Sequence, residues 1–83
     1  MAGITSILAT MPTTTERIAS RVRGLAAENR FTQQRIANVL GMSRTSVTER
    51  FSGRVPFTAP ELFTLANEFN TDISRFFPEQ VAA

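Results

Sequence analysis

The stretch TQQRIANVLGMSRTSVTERFSG, residues 32–53, most narrows what this chain can fold into. Thr32 fits an N-cap, Ile36, Ala37 and Leu40 recur at helical spacing, and Gly41 can take the left-handed conformation that ends a helix. Ser43 caps the next segment only two residues later, and Gly53 stops it. Two short helices therefore meet across a tight turn. The second is strangely polar, with Val47 and Phe51 its only large apolar side chains among hydroxyls, arginines and one glutamate.

The same punctuation divides the rest of the chain into helices. Thr13 and Glu16 form a capping box before Ile18, Val22, Leu25 and Ala26, which predicts a first helix over about 14–29. Thr58 and Glu61 repeat the device, and Pro60 falls in the first turn, where a missing N–H costs little. Leu62, Leu65, Ala66 and Phe69 then carry a fourth helix to Asn70. Ile73, Phe76 and Phe77 suggest one or two further helical turns halted by Pro78, giving five helices. Residues 1–12 form an N-terminal extension, 13–78 the domain and 79–83 a tail. In the extension, Ile4, Ile7, Leu8 and Met11 fit a short amphipathic helix that docks on the domain or on a second subunit; a frayed terminus is the alternative.

With 83 residues, 42% of them hydrophobic, one small domain is expected, burying roughly 60% of the surface its unfolded chain exposes. Cysteine, histidine, lysine, tyrosine and tryptophan are all absent. Disulfides, thiolate and imidazole metal sites, Schiff-base chemistry and His-activated nucleophiles are thereby excluded, so neither an enzyme nor a cofactor or metal site is expected. No apolar run approaches the ~20 residues of a membrane span, and the opening MAGITSILATMP lacks the basic start of a signal peptide. A cytoplasmic protein without membrane contact is the expectation.

The net charge of +2 conceals a division. Eight of the nine arginines lie between Arg17 and Arg54, opposed there only by Glu28 and Glu49, a local balance of +6. Such asymmetry argues for a polyanionic partner, against the blander reading of a solvated arginine-rich surface.

A helix-turn-helix starting at Gln33 requires apolar side chains at 36, 40, 42, 47 and 50, a small residue at 37 and glycine at 41. Ile36, Leu40, Met42, Val47, Ala37 and Gly41 comply, and Arg50 does not. On Thr32-Gln33, Ile36-Ala37, Leu40-Gly41-Met42-Ser43, Val47 and Gly53, the chain resembles the Cro- and CI-like (XRE-type) helix-turn-helix family, over about Thr13 to Phe77. The stretch FSGRVPFTAPELFTLANEF is similar in particular to the branch found in actinobacteria and their phages. The resemblance implies an all-α, five-helix, lambda-repressor-like DNA-binding domain. Its third helix is laid in the major groove, and the second crosses the backbone.

Helical geometry gives the reading face independently. At about 100° per residue, Val47 and Phe51 lie about 40° apart and mark the buried side; the opposite side centres on Thr45 and Glu49, flanked by Ser46 and Thr48, with Arg44 projecting from the first turn. By resemblance, Arg44, Thr45 and Glu49 are base contacts and Thr48 a secondary one. Arg44 suits guanine O6 and N7, Glu49 a cytosine N4 amine, and a threonine methyl the thymine methyl. Glu49 has a second reading, as an ion-pair partner of Arg50 or Arg54. Gln33, Ser43, Ser46, Arg54, Arg35 and Arg30 are candidate phosphate contacts. Arg50-Phe51 departs from the family pattern, in which an apolar residue is followed by an acid; the displaced anchor raises the question of how the third helix is rolled.

These features point to a sequence-specific regulator bound to a double-stranded DNA operator, with a phage Cro-like or immunity repressor in a bacterial host's cytoplasm and nucleoid as the expectation. A homodimer on two half-sites is expected, with a monomer as alternative. Its interface would come from Phe76, Phe77 and Val81 or from the N-terminal Ile4, Ile7, Leu8 and Met11, although core packing is the role expected first for Phe76 or Phe77 taken singly. A protein-interaction module on the same fold, such as an antitoxin or a phage factor binding a host protein, is the competing reading.

Overall fold

The computed structural model describes residues 13–78; the apolar N-terminal residues and Val81 lie outside them. Four α-helices follow in order: α1 (Thr14–Glu28), α2 (Gln33–Leu40), α3 (Arg44–Phe51) and α4 (Ala59–Glu68), then a 3-10 turn at Ile73–Phe76. No strand occurs among the described residues. Each predicted cap is in place, with Thr13, Thr32, Ser43 and Thr58 in extended conformation accepting from the backbone N–H three residues on. The boxes of Thr13 with Glu16 and Thr58 with Glu61 both close.

The fifth element, expected as one or two helical turns, is a single 3-10 turn and not an α-helix. Asp72 caps the segment by accepting the Ser74 N–H at 2.8 Å, which holds its carboxyl below the usual carboxylate range. Only four residues follow in 3-10 form before Phe77 turns extended, the conformation that Pro78 favours in its predecessor. The fourth helix likewise stops two residues early, at Glu68, because Asn70 takes a left-handed φ of 53°.

α3 packs against α2 and α1, α4 against α2, and the 3-10 turn closes the end between α1 and α4. Val22, Ile36, Val47, Leu65 and Phe76 are fully buried at the centre, with Leu25, Ala26, Ala37, Phe51, Leu62, Ala66 and Phe69 around them. Leu40 and Met42, expected in the core, are half-buried at its edge. Phe31 meets Phe69 edge-on at 4.9 Å, and Phe69 meets Phe76 at 6.1 Å. Phe76 therefore belongs to the core, the first of the two roles expected for it, and not to a subunit contact. Phe77 is 40% exposed, and Phe63, which the sequence did not single out, is 61% exposed.

Gly41 and Gly53 both have left-handed backbones, with φ of 68° and 81°, but their surroundings differ. A Cβ at Gly41 would meet nothing within 4 Å, whereas one at Gly53 would lie 2.7 Å from Glu16 Cγ and 3.0 Å from its Cα. Glu16 cannot swing aside without leaving the capping box of α1. Gly41→Ala should cost about 1 to 2 kcal/mol from backbone strain alone. Gly53→Ala should cost about 1 to 3 kcal/mol more, from the added overlap. Urea midpoints at unchanged slope measure both, and equal shifts would contradict the close approach of Gly53 to α1.

Candidate nucleic-acid interface

The polar character of α3 follows from how little of it needs burying. Val47, with no exposed surface, and Phe51 are its buried side chains. Phe51 also touches Phe57 of the following loop, at 6.3 Å between ring centres. Arg44, Thr45 and Thr48 are exposed, whereas Ser46 and Glu49 are half-buried on the flanks. The reading face thus leans toward residues 44, 45 and 48 rather than being centred on Thr45 and Glu49.

Hydrogen bonds order the junction of α2 and α3. Thr48 Oγ1 donates to Gln33 Oε1 at 2.8 Å, tying the middle of α3 to the first residue of α2. The Gln33 carbonyl is thereby occupied and its NH₂ carries the free donors, the polarity an anion requires. Ser43 Oγ accepts the Ser46 N–H and donates to Ser46 Oγ, both at 3.1 Å. The free proton of that pair is on Ser46, which makes Ser46 the better phosphate donor and Ser43 primarily the cap.

The arginines separate into two groups. The side chains of Arg30, Arg44 and Arg54 form no hydrogen bond or ion pair among the described residues, and all three are exposed. Arg30 sits in a left-handed turn between α1 and α2, and Arg54 lies just past the glycine that stops α3. Arg35 is held over the Phe31 ring, 3.8 Å from its centre, a stacked arrangement that keeps its charge at the start of α2. Sequence reasoning overlooked Phe31 as this platform; the spacing of four residues between an aromatic and a cation was the available signal.

Arg23 and Arg50 instead spend their guanidinium groups on contacts within the domain. Arg23 of α1 donates through Nη1 to the Phe51 carbonyl at the end of α3. Arg50 pairs with Glu61 of α4, Nε to Oε1 at 2.9 Å and Nη2 to Oε2 at 3.3 Å, and also donates to the Ser46 carbonyl at 3.3 Å. The alternative pairing of Glu49 with Arg50 is therefore not made, and the Glu49 carboxylate has no partner among the described residues. The sequence marks Glu61 only as a capping residue. An arginine at a position suited to an apolar side chain was the signal that an acid must lie opposite it.

Among the described residues there is no cluster able to hold a metal ion, and no helix is long and apolar enough to cross a membrane. No protein-family model matches the chain, and no curated protein matches its sequence. Solved structures do. The clp gene regulator ClgR from C. glutamicum superposes with a TM-score of 0.72 at 17% identity, over 80% of this chain and 86% of that one. The restriction-modification controller protein C.AhdI from Aeromonas hydrophila superposes at 0.68 with 19% identity, over 76% of this chain and 96% of that one. The chain thus has an all-helical fold shared with these two proteins, with the helix-turn-helix that its resemblance to the Cro- and CI-like family implied.

Proposed function

We propose that this protein is a sequence-specific, double-stranded DNA-binding transcriptional regulator of the phage Cro-like or immunity-repressor kind, and not an enzyme. The observation that carries the reading is α3 itself, a helix anchored by Val47 and Phe51 that leaves Arg44, Thr45 and Thr48 exposed beside the free amide of Gln33. Arg44, Thr45, Thr48 and Glu49 are the proposed base contacts in the major groove. Gln33, Ser46, Arg30, Arg35 and Arg54 are the proposed phosphate contacts, with Ser43 secondary. The fold shared with a gene regulator and a controller protein supports a regulatory role.

One domain of this size reads few base pairs. A homodimer on half-sites about 34 Å apart would supply the missing specificity, acting on nucleoid DNA in the host cytoplasm by occluding a promoter. The exposed Phe63 on α4 favours a second reading, a protein-interaction module on the same fold, which would bind no duplex even at low salt.

Equilibrium titrations separate base from phosphate roles. Arg44→Ala is expected to weaken the best duplex by about 1 to 3 kcal/mol and to relax discrimination at one base pair. Arg54→Ala should weaken all duplexes alike and lower the salt dependence by about one charge per subunit. Equal losses for both variants on every duplex would refute the assignment.

A further inference from the structure

An arginine on a helix that meets DNA is ordinarily counted among the phosphate ligands. We propose that Arg50 is instead a positioning residue, whose ion pair with Glu61 fixes the roll of α3 about its axis and so sets which bases its exposed side chains can reach. The inference rests on the DNA-binding reading above, and adds to it a determinant of sequence preference that touches no DNA.

The guanidinium is already committed. Its Nε and Nη2 grip the two carboxylate oxygens of Glu61, and Nη1 holds the Ser46 carbonyl one turn back along α3. Both side chains are only 17% exposed. Glu61 is fixed in turn, because its Oε1 also accepts the Thr58 N–H at 3.0 Å and its own N–H is held by Thr58 Oγ1. Arg50 is thus fastened to the first turn of α4 through a carboxylate that cannot move without breaking its half of the capping box. The next residue, Phe51, is fastened to α1 through its carbonyl and Arg23. Two neighbouring attachments to two different helices resist rotation of α3 more than either could alone.

A small rotation has a large consequence for base reading. Side-chain tips stand ~5–6 Å from a helix axis, so a roll of ~10° displaces them by ~1 Å. That is enough to spoil a bidentate hydrogen bond to a base edge, whose donor–acceptor distances span only about half an ångström. Removing one partner of a pair this covered leaves the other charge uncompensated and costs stability, whereas removing both charges costs less, so the double variant keeps the test readable where a single variant folds poorly.

The test compares Arg50→Met, Glu61→Gln, which keeps a capping acceptor while removing the charge, their double variant and Arg50→Lys. Binding is measured to the duplex selected by the wild-type chain and to derivatives with single base-pair substitutions, across a range of salt, with folding checked by circular dichroism. Arg50→Met and Glu61→Gln should each reduce discrimination by about tenfold at the same base pairs, within what one good base contact supplies. The double variant should be no worse than either, Arg50→Lys should recover part of the preference, and the salt slope should stay that of the wild type. A slope smaller by about 0.9 per subunit in Arg50→Met, with Glu61→Gln unaffected, would make Arg50 a phosphate ligand and overturn the proposal. Unchanged preference in both variants would overturn it alone, whereas failure of the wild-type chain to bind any duplex at low salt would overturn the DNA-binding reading and this inference with it.

Discussion

Replacing Phe76 by alanine is expected to destabilise the domain by about 3 to 5 kcal/mol, the range for truncating a fully buried phenylalanine. The side chain has no exposed surface, lies edge-on to Phe69 and fills the space where the 3-10 turn meets α1 and α4. The 3-10 turn is short, with backbone hydrogen bonds from the Arg75 N–H to the Asp72 carbonyl and from the Phe77 N–H to the Ser74 carbonyl, so it depends on the burial of Phe76 to hold it on the domain. For a domain of this size each kcal/mol moves the melting temperature by ~4–8 °C, and total stability is only ~5–15 kcal/mol. Phe76→Ala should therefore melt at least ~12 °C lower, or be unfolded at 25 °C. Phe77→Ala, at a partly exposed neighbouring position, should cost about 1 kcal/mol or less. Thermal denaturation followed by circular dichroism measures both, and similar losses for the two would contradict the burial of Phe76.

DNA affinity is expected to respond about as strongly to salt. Arg30, Arg35 and Arg54 are the proposed phosphate-neutralising charges of one subunit, and a dimer would carry about six of them. At about −0.9 per phosphate the log–log slope is about −5, so affinity should fall roughly a thousandfold between 50 and 200 mM salt. A slope near zero would mean that the basic half of the chain serves another purpose.

The sequence disclosed those parts of the fold that depend on neighbours along the chain. Thr13, Thr32, Ser43 and Thr58 announce helix starts because each hydroxyl satisfies a backbone N–H three residues away. Gly41 and Gly53 mark ends for an equally local reason, a left-handed backbone. Contacts between distant residues were not legible in the same way. Arg23 reaches the Phe51 carbonyl across 28 residues, and Arg50 reaches Glu61 across 11. Nothing in local propensity chooses those partners. The choice between Phe76 and Phe77 was also hidden, because a single 3-10 turn is too short to show a period. At the candidate interface, periodicity located the buried side of α3, but its roll follows from the two arginine contacts, and these leave Ser46 and Glu49 half-covered.

Whether the exposed side of α3 reads base pairs is decided by selecting bound duplexes from random DNA with the wild-type chain and Arg44→Ala in parallel. One motif should be enriched for the wild type, containing a guanine whose enrichment disappears in Arg44→Ala while the flanking positions persist. No enriched motif for the wild type, or the same motif unchanged in the variant, would contradict base reading by α3.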